Sequence, residues 1–125
     1  MIRNVVAVVG LLLVVAGCGS SSDALGVAAE CTKTSDCNQS VSPPLECLTG
    51  FKGGYCGLSG CTGNADCPTD SLCVTHTDGK NYCFRTCNTK ADCNANRTTA
   101  NEANCSSNIV RVDGGSQKAC VPPSA

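Results

Sequence analysis

Thirteen cysteines and a single histidine, His76, are the residues of this 125-residue chain whose types could do chemistry. Thiols can pair as disulfides, ligate a metal, relay electrons or attack a carbonyl, and spacing separates these uses. Structural zinc sites bring their ligands in close pairs such as C-x-x-C, with histidines helping. The chain has no C-x-x-C and only His76. The same absence removes the usual dithiol relay; Cys83 and Cys87 form the closest pair, and they are expected to join different bridges. Nucleophilic catalysis needs a thiol or hydroxyl beside a base. His76 follows Cys73 by three residues, but a bridge is expected to consume that thiol, and His76 is expected to face solvent between Thr75 and Thr77. Paired carboxylates could hydrolyse a substrate only in a pocket, which this composition does not promise. The expectation is a chain with no catalytic residue, no metal and no cofactor, with a metal-binding or redox protein as an alternative.

The elements that position these sulfurs repeat. CTKTSDC (Cys31–Cys37), CTGNADC (Cys61–Cys67) and CNTKADC (Cys87–Cys93) share a C-x5-C frame with Asp before the second cysteine. Each is followed by two further cysteines: Cys47 and Cys56, Cys73 and Cys83, Cys105 and Cys120. Three four-cysteine units account for twelve cysteines and mark a repeat, with module boundaries at 31–56, 61–83 and 87–120. Thr, Asn and Asp fill the opening frames and favour turns. Asp36, Asp66 and Asp92 are expected to accept backbone N–H bonds there, since no D-x-D-x-D-G loop points to calcium.

The second half of each unit reads as a β-hairpin, because Gly53-Gly54, Asp78-Gly79 and Asp113-Gly114 supply the φ > 0 that tight turns need. The strongest pattern is Ile109–Val112 against Gln117–Val121. Within a module three pairings are open. First to third and second to fourth is preferred, since it ties the turn to the hairpin. Bridges crossing modules are the competing outcome.

Composition explains why such staples are needed. The 42% hydrophobic content is inflated by the N-terminal segment and the cysteines. Beyond residue 30 large apolar side chains are few and scattered, too few to hold the chain against an entropy of about 1–2 kcal/mol per residue. A disulfide closing a 15-residue loop offsets about 3 kcal/mol in the chain-entropy model. The expected fold class is small and disulfide-rich: three tandem four-cysteine modules with short β-hairpins and little regular secondary structure. Eight Lys and Arg stand against ten Asp and Glu once Arg3 is set aside, with no basic stripe, which argues against nucleic acid as a partner.

The N-terminus carries an export signal. Arg3 precedes an apolar run, Val5–Ala16, broken only by Gly10. As a helix it would span about 18 Å, short of the roughly 30 Å hydrocarbon core, and it matches a signal peptide instead. Val15-Ala16-Gly17-Cys18 resembles the bacterial lipobox, with Val15 in place of the more usual leucine. The resemblance implies cleavage after residue 17 and acylation of Cys18 by diacylglyceryl and amine-linked chains, palmitate among them. Several chains on one residue make release from a bilayer slow. Gly19 stands where an aspartate would signal inner-membrane retention, so the resemblance implies the outer membrane, on either face. Residues 18–30 are then expected to be a flexible lipidated tether, with an r.m.s. reach of roughly 19 Å and an extended limit near ~40 Å.

The stretch Cys61–Cys87, CTGNADCPTDSLCVTHTDGKNYCFRTC, resembles the Dickkopf N-terminal cysteine-rich domain in its C-x5-C-x5-C spacing and its acidic residue near the second cysteine. The first and third units depart from that pattern in loop length. The resemblance implies a small extracellular scaffold. The expected function is that of a membrane-anchored, non-catalytic binding scaffold of the bacterial envelope with a protein or glycan ligand. A tethered protease inhibitor or toxin-like effector is the alternative, with Asn94–Asn104 as its longest loop.

Overall fold

Pro68 directly follows Cys67 and disfavours helical geometry there, and Cys67 is accordingly extended at φ −101°, ψ 147°. The opening frame of the second module therefore holds a single 3-10 turn, Asn64–Asp66. The first module has the equivalent turn, Thr34–Asp36, ended by an extended Cys37. In the third Ala95 stays helical, and the turn lengthens into a short helix, α1 (Lys90–Asn94). These elements belong to a computed structural model that describes residues 26–125; the signal segment 1–17, Cys18 and residues 19–25 lie outside the described residues.

The protein is small and disulfide-rich, mostly antiparallel strand, with six disulfides and almost no helix among the described residues. The strands are β1 (Glu46–Cys47), β2 (Cys56–Ser59), β3 (Ser71–Thr75), β4 (Asn81–Cys87), β5 (Asn104–Ser106), β6 (Val110–Arg111) and β7 (Lys118–Val121). β3 and β4 form the longest hairpin, closed at Asp78-Gly79, with Gly79 at φ +80°. β4 is the hub: it also pairs with β2 of the first module (Leu58↔Cys83) and with β7 of the third (Thr86↔Ala119).

Two sequence expectations are corrected. The hairpin of Ile109–Val112 against Gln117–Val121 does not form. β7 pairs with β5 instead, which sets Cys105 opposite Cys120, while β6 crosses to β3 of the second module (Val74↔Arg111, Thr75↔Val110). The sulfurs decide this, because Cys105 must lie beside Cys120 to reach the frame at Cys87 and Cys93. The freed segment then covers the open edge of β3: Val112 N–H donates to the Cys73 carbonyl at 3.1 Å, and Asp113 accepts from Asn64 N–H at 2.6 Å. The second correction concerns the tether. Val27, Ala28 and Ala29 are buried, Ala28 N–H and Cys56 N–H exchange hydrogen bonds with Cys56 and Ala29 carbonyls at 2.9 Å, and Glu30 N–H donates to Asn96. Residues 27–30 thus belong to the folded body.

One apolar cluster serves all three modules. Phe51 and Tyr55 from the first meet Tyr82 and Phe84 from the second, with Phe51 edge-on to Phe84 at 5.8 Å and Tyr55 edge-on to Phe84 at 5.2 Å. Ala103 and Ala119 from the third close the same cluster. The modules are tandem in sequence and interlocked in space.

Candidate functional site

The third and fourth cysteines of every module face each other across a strand pair: Cys47↔Cys56, Cys73↔Cys83, Cys105↔Cys120. From these positions the third bonds the first and the fourth bonds the second: Cys31–Cys47 and Cys37–Cys56, Cys61–Cys73 and Cys67–Cys83, Cys87–Cys105 and Cys93–Cys120. No bridge among the described residues crosses modules. Three sulfurs of each module lie within 4.8 Å of one another, close enough to ligate one metal ion. Each is bonded to another sulfur, and a disulfide sulfur is no thiolate ligand. These sulfurs staple the turn to the hairpin.

Asp36, Asp66 and Asp92 all turn back on their frames. The Oδ2 of Asp36 accepts from Thr32 N–H at 2.9 Å and Lys33 N–H at 3.2 Å, that of Asp66 from Thr62 N–H and Oγ1 at 2.8 Å, and that of Asp92 from Asn88 and Thr89 N–H at 2.8 and 3.0 Å. These backbone donors hold all three carboxyls below their ordinary range.

His76 does not stand free in solvent as its sequence context suggests. It is half-buried, edge-on to Phe51 at 5.4 Å and to Phe84 at 5.7 Å. Cys73, its nearest thiol in sequence, is fully buried and bridged, and the group beside the His76 ring is the hydroxyl of exposed Thr77, 3.5 Å from Nε2. Tyr82 O–H donates to Asp78 at 2.7 Å, and burial together with this bond pushes the phenol up to about 12. The loop Asn94–Asn104 is pinned rather than projecting: Asn94 Nδ2 donates to the Ala103 carbonyl, and Asn94 Oδ1 accepts Ala103 N–H.

The residues that hold the modules together were not visible as sites in the sequence. Arg97, 8% exposed, is the one buried charged side chain among the described residues. Its Nε donates to the Asn101 carbonyl at 2.7 Å, its Nη1 to those of Ala28 and Gly54 at 3.1 and 2.8 Å, and its Nη2 to that of Lys52 at 2.8 Å. The guanidinium lies 5.7 Å from the Tyr55 ring centre, and burial lowers its pKa. Tyr55 O–H donates to the Cys120 carbonyl at 2.9 Å and accepts Arg85 N–H at 3.1 Å, joining the three modules at one oxygen. Beside them Glu30 accepts from Thr98 N–H and Oγ1, and these bonds outweigh burial to hold its carboxyl below the usual range. An arginine and a tyrosine in polar loops carry no local pattern that marks them as interior.

Where the N-terminal segment and the three modules meet, the surface opens into a groove of about 870 Å³. Val27, Val41, Leu45 and Pro68 give it apolar walls, and Asp70, Arg85 and Asp92 give it charge. Asp70 sits at φ +64°, a left-handed conformation uncommon for a residue with a side chain. Its carbonyl is held by Thr86 N–H at 2.8 Å. Among the described residues the Arg85 guanidinium makes no hydrogen bond or ion pair; the one ion pair is Lys90–Glu102.

No family model, curated protein or solved structure matches this chain. Among the described residues no helix is long and apolar enough to cross a membrane.

Proposed function

We propose that this chain is a bacterial envelope lipoprotein, anchored through acyl chains on Cys18 and held at the outer membrane, whose body is a rigid non-catalytic binding scaffold. The observation that carries the anchor is sulfur arithmetic. Thirteen cysteines are present, and Cys31 to Cys120 supply twelve that consume one another in six bridges. The described residues leave no thiol to pair with Cys18, and that cysteine is the one that follows Val15-Ala16-Gly17. An acyl chain accounts for it without a bridge partner.

The binding reading rests on a groove whose walls come from four chain segments fixed by covalent bridges. A surface of this kind loses little conformational entropy on taking a ligand. The Dickkopf-like frame of Cys61–Cys87 supports a small extracellular scaffold and brings no receptor with it. In the alternative inhibitor reading the loop Asn94–Asn104 keeps Arg97 inward and exposes Ala95, Asn96 and Thr98–Ala100.

Replacing Cys18 with serine tests the anchor. The parent protein should partition into the detergent phase and carry acyl mass on its first residue. Cys18→Ser should stay unprocessed, keep its apolar segment Val5–Ala16 and carry no acyl mass, with all twelve other cysteines still resistant to alkylation. Loss of a bridge in the variant would mean that Cys18 is a disulfide partner and would overturn the reading.

A further inference from the structure

We infer that the groove beside Gly26 is a receptor for a lipid headgroup carrying both a phosphate and an ammonium, taken from the bilayer that holds the anchor. The inference rests on the lipid-anchor reading for its geometry and on the groove's own charges for its chemistry.

Because the chain is fixed in the body from Val27 onward, only Gly19–Leu25 separate Cys18 from the groove rim at Gly26. In any conformation the eight steps from Cys18 to Gly26 span at most about 29 Å at ~3.6 Å each. The groove rim therefore stays within that distance of the anchor, inside the roughly 40 Å that a tether running to Glu30 would allow. The base of the β3–β4 hairpin, where Ser71 pairs with Arg85, lies at the groove. Its tip lies beyond Thr75↔Asn81, about 13 Å further along at ~3.3 Å per residue.

The groove's charges match a zwitterion. The Arg85 guanidinium makes no hydrogen bond or salt bridge within the body, although Asp92 feels its charge, and its N–H fork is open to a phosphate. Asp70 contributes a carboxylate to the same lining, and Asp92 keeps Oδ1 free while Oδ2 caps α1. Asp70, Arg85 and Asp92 also line an adjoining cavity with Lys118, so two carboxylates stand with two cations, and a phosphate linked to an ammonium satisfies both signs. Val27, Val41 and Pro68 offer apolar contact to the glycerol and the first methylenes.

The test uses the full-length lipidated protein carrying a photoreactive phenylalanine analogue at Thr69, on the groove, or at Thr77, near the hairpin tip. Each is reconstituted into vesicles of an uncharged glycolipid containing phosphoethanolamine or phosphoglycerol lipid. Irradiation should give phosphoethanolamine adducts at Thr69 and few at Thr77. Arg85→Gln should lower that yield about tenfold, as expected for one charge-assisted hydrogen bond. Equal yields from both lipids, equal yields at both positions, or capture of the chain's own residues 19–25 by Thr69 would overturn the inference. If Cys18 proves to carry no lipid, the anchor reading fails separately. Titration of soluble glycerophosphoethanolamine against the amide spectrum then decides the groove: shifts at Asp70 and Arg85 support it, and their absence ends it.

Discussion

Asp36, Asp66 and Asp92 show what repetition reveals at the scale of one residue. The same side chain before the second cysteine of three frames implies one shared local task, and in each case its Oδ2 receives backbone N–H groups from the start of its own turn. Their carboxyls are held below the ordinary 3.8, so the stabilisation they give is present above that value and is lost as pH falls through the lower folded-state values. The triple variant Asp36→Asn, Asp66→Asn, Asp92→Asn should therefore lose less stability than the parent between about pH 5 and about pH 2. Urea midpoints at the two ends of that range measure the difference; equal slopes would show the caps to be inert. Arg97 is the opposite case. Nothing in Asn96-Arg97-Thr98 distinguishes it from a solvated loop arginine, because its four carbonyl acceptors come from residues 28, 52, 54 and 101. Arg97→Met leaves those carbonyls without their donor and should cost about 3 kcal/mol, since one unsatisfied buried group alone costs about 1–3. Arg97→Lys should recover only part, as an ammonium cannot reproduce the planar fork. Denaturant titration of the three proteins checks both statements.

At the scale of elements, the turns were legible and the pairing of the strands was not fully so. Asp78-Gly79 marks a hairpin because the turn needs φ > 0, and Gly79 indeed lies at +80° with open space where a Cβ would stand. Gly79→Ala should cost only the left-handed strain, about 1–2 kcal/mol. Gly54, at φ +67°, looks equivalent in sequence, yet a Cβ there would stand 2.1 Å from the Cys31 carbonyl oxygen and 2.9 Å from its sulfur. Gly54→Ala should therefore prevent the Cys31–Cys47 bridge from closing, read as free thiols by alkylation and intact mass, while Gly79→Ala keeps all six bridges. The Asp113-Gly114 turn also has its glycine at positive φ, +71°, but the strands flanking it part company. Local alternation cannot register that Val112 has a buried sulfur cluster at Cys61, Cys73 and Cys83 to pack against, 51, 39 and 29 residues away. That partner outweighs the hairpin.

At the scale of the whole molecule, the repeat suggests three beads, and the contacts make one body. Cysteine spacing exposes the frames because a bridge within a frame is a local event. It is silent on β4, whose edges receive strands from both neighbouring modules, and on the four-segment groove, which exists only once the modules interlock. The shared aromatic cluster and the single oxygen of Tyr55, bonded to Cys120 and Arg85, join the modules' interiors, and the separate small cluster at Cys61, Cys73 and Cys83 takes in Val112 of the third module. Beads would unfold in separate steps, each protected by its own two bridges. An interlocked body with its bridges intact should unfold in one transition, with calorimetric and van't Hoff enthalpies equal. Tyr55→Phe separates the two pictures, because it touches no disulfide and removes a hydroxyl worth about 1–2 kcal/mol of hydrogen bonding. In a body of about 100 residues that loss should lower the one transition by roughly 5–10 °C without splitting it. A scan in which the variant resolves into two peaks would mean that the modules fold alone and that the groove between them is not a fixed surface.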